Sequence, residues 1–116
     1  MGRRNTAELR KALKGIDKAT RDNVERSLAI QQRVEWMQER LAEGATPAEL
    51  IREEPRPLMV EMITQNIETL QNLGLRLRLA EARALRADGM TMEEIAQLFG
   101  VTRQRISALL KQGDED

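Results

Sequence analysis

Residues Thr91 to Lys111 contain the stretch whose residue types and spacing suit a definite chemistry, contact with double-stranded nucleic acid. Thr91-Met92-Glu93-Glu94 has capping-box spacing, with Thr91 as N-cap and Glu94 three residues on. Ile95, Ala96 and Phe99 then form an inward face, and Gly100 supplies a left-handed turn. Thr102 caps a last helix, at about 102–111, that buries Ile106, Leu109 and Leu110. Ala96 has to be small because the following helix crosses over it, and Val101 fills the corner between the two. Those offsets are the layout of a helix-turn-helix, whose second helix enters the major groove of DNA. Thr91 and Thr102 mark helix N-termini, where unpaired N–H groups attract phosphate oxygens. Arg105, Lys111, Arg83 and Arg86 gather around the motif and are expected to add phosphate contacts. Taken singly, each basic side chain fits a solvated helix face equally well, and only the clustering favours the phosphate role.

The composition closes other routes. Among 116 residues there is no His, Cys or Tyr, one Phe and one Trp. An imidazole base, a thiolate nucleophile, a zinc finger and a disulfide framework are therefore unavailable. A metal site would have to be built from carboxylates, and a serine nucleophile would lack its usual base. No cofactor, no metal and no enzymatic activity are expected. Base stacking on aromatic rings, the usual means of holding single strands, is equally poorly supplied. No apolar run has the length of a membrane span, and the start MGRRNTAELRK lacks the apolar stretch of a signal peptide, so a cytoplasmic protein is expected.

Residues 91 to 107, TMEEIAQLFGVTRQRIS, resemble the promoter-reading helix-turn-helix of bacterial sigma-70-type factors (region 4.2). The pattern of that family is T-L-E-E-[IV]-G-x-x-F-x-V-T-R-E-R-I-R-Q-I. Thr91, Glu93, Glu94, Ile95, Phe99, Val101, Thr102, Arg103, Arg105 and Ile106 coincide with it. The stretch is also similar to the short helix-turn-helix tails of many small bacterial regulators. The resemblance covers about the last 35 residues of the chain. It implies that Arg103 reads a base edge, a guanine O6/N7 pair being its natural partner. Three neighbours depart from the family: Gln104 stands for Glu, while Ser107 and Ala108 stand for Arg and Gln. Gln104 suits adenine and Ala108 a thymine methyl, so these positions, with Ser107, point to a target other than the −35 promoter element.

The elements that must position this reader are helices. Glu, Arg, Leu, Ala, Gln and Met dominate, runs of β-branched residues are missing, and the chain is expected to be all-α. A helix at about 6–43 carries Leu9, Leu13, Ile16, Ile30, Val34, Met37 and Leu41 at alternating steps of four and three, a coiled-coil seam. At 1.5 Å per residue it spans roughly 57 Å, too long to stand without a partner along its length. The middle of the seam is polar (Thr20, Asn23, Ser27), which weakens it but can fix register. Val24, Leu28 and Trp36 make a second stripe, with Trp36 as an apolar anchor. Thr46-Pro47-Ala48-Glu49 opens a short helix at about 47–53, stopped by Pro55. A helix at about 57–73 repeats the four-three spacing and either folds back on the first helix or pairs with a second chain. A weak break at Asn72 to Gly74 then separates a short helix that ends at Asp88-Gly89.

The expected organisation is a helical dimerisation region over 1–74, a helix-turn-helix over 75–113 and an acidic tail at 114–116. Lys and Arg equal Asp and Glu at nineteen each, yet residues 75–113 hold seven basic and four acidic side chains. The zero net charge therefore conceals a basic reader. The expectation is a homodimeric, DNA-binding transcription regulator. The rival expectation is an interaction module whose helices dock on RNA polymerase, a sigma factor or another regulator, which the neutral total favours.

Overall fold

The computed structural model describes the backbone of residues 2–115 and the side chains of residues 6–111. It is all-α, with five helices and no strand among the described residues: α1 (Gly2–Ala42), α2 (Pro47–Glu53), α3 (Met59–Ala87), α4 (Met92–Phe99) and α5 (Arg103–Glu115). No helix there is long and apolar enough to cross a membrane. The chain forms two compact units. One is built from Lys18–Gln71, and the other combines the chain up to Asp17 with everything from Asn72 onward. The N-terminal turns of α1 therefore group with the helix-turn-helix rather than with the rest of the N-terminal region.

In the unit of residues 18–71, α1 folds against α2 and α3 of the same chain. The polar middle of α1 makes the join. Asn23, which is buried, donates from Nδ2 to the Asn66 carbonyl at 3.4 Å, and Arg26 donates to Asn66 Oδ1 at 2.8 Å. Asn66 Nδ2 returns a bond to Ser27 Oγ at 3.2 Å. A cross-helix polar cluster of this kind admits one register, because a slip of one turn would strand every member. Further along, Arg40 binds both carboxylate oxygens of Glu53 on α2, at 2.8 and 3.0 Å. That bond and the Arg40 charge hold the Glu53 carboxyl below its ordinary range. Thr46 Oγ1 accepts from the Glu49 N–H at 3.2 Å, with Pro47 in the first turn, and α2 ends where Glu54 turns extended before Pro55.

The face of α1 that meets α3 differs in register from the expected seam. Ile30 and Met37 are half-buried, but their neighbours on that face are Arg26, Arg33 and Arg40, each bonded to a later segment. Leu13, Val34 and Leu41 are exposed, whereas Leu9, Ile16 and Trp36 are half-buried. Hydropathy places leucine and valine in a seam ahead of arginine. The carboxylates and carbonyls waiting on α2, α3 and the 54–57 connector reverse that order.

The expected break at Asn72 to Gly74 is absent, and α3 runs through it to Ala87. An exposed glycine inside a helix costs about 1 kcal/mol relative to alanine. Leu73 and Leu77 on the inward side of α3, with buried Ala80 beyond them, outweigh that cost. The last helix likewise continues past 111 through Glu115, so the backbone at 114–115 is helical rather than a separate tail.

Candidate nucleic-acid interface

The second unit holds the expected helix-turn-helix. Ile95, Ala96 and Ile106 are buried together with Ala82 of α3, and Phe99, Val101, Leu109 and Leu110 pack against them. Leu85, Met90 and Met92 complete the cluster, so α3 supplies a third wall. Thr91 Oγ1 accepts from the Glu94 N–H and Glu94 Oε1 from the Thr91 N–H, both at 3.1 Å, closing the capping box at the start of α4. The Thr91 N–H, and then its hydroxyl, hold the Glu94 carboxyl below its ordinary range. A carboxylate favoured by the fold stabilises it above the unfolded-state value, and that contribution fades as pH falls through the folded one.

Gly100 closes α4 with φ 69° and ψ 35°, and the Val101 N–H bonds back to the Ala96 carbonyl at 3.0 Å. A Cβ built on Gly100 meets nothing within 4 Å. The cost of Gly100→Ala is thus conformational alone, and about 1 kcal/mol is the expected loss in urea unfolding. A much larger loss would mean that the turn is crowded. Thr102 then caps α5, its hydroxyl accepting from the Arg105 N–H at 3.2 Å.

With Ile106 and Leu109 inward, Gln104, Ser107, Ala108 and Lys111 fall on the outer side of α5, and all four are exposed. Arg103 lies on one flank, lining a polar cleft with Thr91, Met92, Glu93 and Arg86. Arg105 lies on the other, lining an apolar groove with Leu75, Arg78, Phe99 and Ala108. The expected phosphate contacts therefore do not form one cluster. Thr91 and Arg86 stand beside Arg103, whereas Arg105 stands apart. Arg83 is drawn into a 2.6 Å ion pair with Glu8 of α1. That pair gives Arg83 a structural partner, which a count of basic residues near the motif does not anticipate.

Three further contacts bear on the site. Glu93 Oε1 is 3.7 Å from Arg103 Nη1, a loose, exposed pair worth less than about 1 kcal/mol. Arg86 donates to the Met90 carbonyl at 3.0 Å and so braces the turn ahead of α4. Arg78 lies over the Phe99 ring at 4.2 Å from its centre. Arg78 is twenty-one residues from Phe99 in the chain, and no local spacing signals that stacking. Among the described residues no group of three or more acidic side chains could hold a metal ion.

No protein-family model, curated protein or solved structure matches the chain.

Proposed function

We propose that the chain is a sequence-specific, double-stranded DNA-binding regulator of transcription, with α5 lying in the major groove. The observation that carries this reading is the outer face of α5. Arg103, Gln104, Ser107 and Ala108 are exposed on a helix whose opposite side is locked by buried Ile106 against Ile95 and Ala96. A rigid support with exposed polar groups is what base-edge recognition needs, because loosely held side chains lose discrimination, and Arg103 gives up only its loose 3.7 Å pair with Glu93 to take part. Arg103 is the principal base reader, and Gln104, Ser107 and Ala108 tune the neighbouring base pairs. Arg86, with the N–H groups around Thr91, holds the adjacent phosphate; Arg105, Lys111 and the N-terminus of α5 at Thr102 serve the flanks.

The experiment is selection of bound sequences from a random duplex pool, followed by Arg103→Ala. The variant is expected to lose about 1–3 kcal/mol on the selected site and to relax preference at one base position. Equal binding by wild type and variant would remove α5 from the role. Glu93→Gln is the companion test. Removing the acid beside Arg103 is expected to tighten binding several-fold, with the gain shrinking as salt rises.

A second reading has one observation in its favour, the groove beside α5 in which Leu75 joins Phe99, Val101 and Leu109. In it, the helix-turn-helix docks on another protein of the transcription apparatus, such as RNA polymerase, a sigma factor or a second regulator. Salt separates the two readings. Random duplex bound at low salt and released steeply at moderate salt supports DNA, and no binding at low salt supports docking.

A further inference from the structure

In the unit of residues 18–71, Leu50 and Met62 are the hydrophobic residues that reach full burial. Against them stand large apolar side chains left in solvent, among them Val24 at 61%, Leu28 at 54% and Leu70 at 51% exposed. These are not scattered. Val24 and Leu28 of α1 line a groove with Leu70 of α3. Ile63 and Ile67 precede Leu70 by seven and three residues and so share its flank, while Val34 lies two turns beyond groove-lining Ser27. Two helices with so little buried between them and a continuous apolar face outside are half of a bundle.

We propose that this face docks on the same face of a second copy of the chain, with the two α1 helices antiparallel, closing a four-helix bundle. The charges along α1 select both the partner and the direction. Lys14 and Glu35 lie on the row of Leu28, two heptads before it and one after, and Lys18 and Glu39 follow them by four residues. All four are exposed. An antiparallel crossing centred between Val24 and Leu28 sets Lys18 opposite the partner's Glu35 and Lys14 opposite the partner's Glu39. Two-fold symmetry makes four attractive pairs. A parallel crossing sets lysine on lysine and glutamate on glutamate. The acids of this half of α1 have no basic counterweight on the same side, because Arg26, Arg33 and Arg40 are taken up by Asn66, Glu54 and Glu53.

The area suffices. At 1.5 Å per residue, α1 from Lys18 to Leu41 presents roughly 36 Å and α3 from Met59 to Gln71 about 20 Å. With about 10 Å of width for each helix, the two copies bury on the order of 1,000 Å² in total, the lower range for a specific interface.

Sedimentation of the full chain tests this without DNA, so its outcome is separate from that of the DNA reading. Wild type at tens of micromolar is expected at twice the 13.2 kDa chain mass. Lys14→Glu with Lys18→Glu, and separately Glu35→Lys with Glu39→Lys, are each expected to weaken self-association by about tenfold or more. An equimolar mixture of the two variants is expected to recover the dimer, since every antiparallel contact in the mixed pair is again between unlike charges. That recovery also shows that both variants fold. Leu28→Glu is expected to abolish the dimer while helicity by circular dichroism is retained. A single-chain mass for wild type, or no recovery on mixing, overturns the proposal.

Discussion

Ile95→Ala is expected to lower the unfolding free energy of the helix-turn-helix unit by about 3–4 kcal/mol and, if the proposed DNA-binding reading holds, to release DNA well below the temperature at which wild type does. Ile95 is 0% exposed and sits where α3, α4 and α5 meet, beside Ala82, Ala96 and Ile106. Two of its three buried neighbours are alanines, which are too short to swing into the space that truncation would leave. Relaxation is left to the half-buried rim of Leu85, Met90, Met92 and Phe99, so the cost falls in the middle of the range for such truncations. Leu98 provides the control. It belongs to the same helix, three residues on, yet is 64% exposed, so Leu98→Ala is expected within about 0.5 kcal/mol of wild type. Urea unfolding followed by circular dichroism measures both. Equal losses for the two variants would mean that α4 packs on another face. The functional consequence follows from the same geometry. α5 is held through Ile106, so on the proposed DNA-binding reading a softened cluster would let the outer side chains of α5 rock against the groove, and discrimination between sites would fade before non-specific affinity.

The helix-turn-helix was legible in the sequence because its determinants are local. The capping box Thr91–Glu94, the small Ala96 and the left-handed Gly100 all lie within ten residues, and each acts on backbone a turn away. The short helix α2 was legible for the same reason, with Thr46 and Pro47 at its start and Pro55 beyond its end. The helical hairpin was legible only in outline. Its register depends on Arg26, Arg33 and Arg40 meeting groups thirteen to forty residues away, and hydrophobic periodicity carries no information about such pairs. The continuity of α3 was hidden because Asn72 and Gly74 weaken a helix locally, while half-buried Leu73 and Leu77 and buried Ala80 favour it through burial. At the candidate site, the sequence named the outer residues of α5 but not their surroundings. Arg83 answers to Glu8, seventy-five residues earlier, and Arg103 to Glu93 on the preceding helix. Proximity to a motif cannot tell an arginine that waits for phosphate from one that already has a carboxylate.

Arg33→Ala is expected to cost about 3 kcal/mol, as much as a core truncation, although arginine is ordinarily a surface residue. Arg33 Nη1 donates to Glu54 Oε2 at 2.7 Å and to the carbonyls of Pro55 and Pro57, both at 3.0 Å. The side chains of Arg33 and Glu54 are only 13% and 9% exposed. Neither proline has an N–H to donate, so the backbone of each can bond only through its carbonyl, and Arg33 binds both carbonyls. The same Glu54 Oε2 accepts the Met59 N–H at 2.6 Å, which satisfies a free donor at the start of α3. Removing the guanidinium leaves Glu54 poorly hydrated and without its cation, and it frees the connector that aims α3 back along α1. Glu54→Gln keeps an acceptor for Met59 while removing the charge, so it is expected to cost less than Arg33→Ala. The double variant is expected to cost less than the two single losses together. Urea unfolding of the four proteins gives that cycle directly. A loss below about 0.5 kcal/mol for Arg33→Ala, or strict additivity, would show that the hairpin is aimed by its apolar contacts instead.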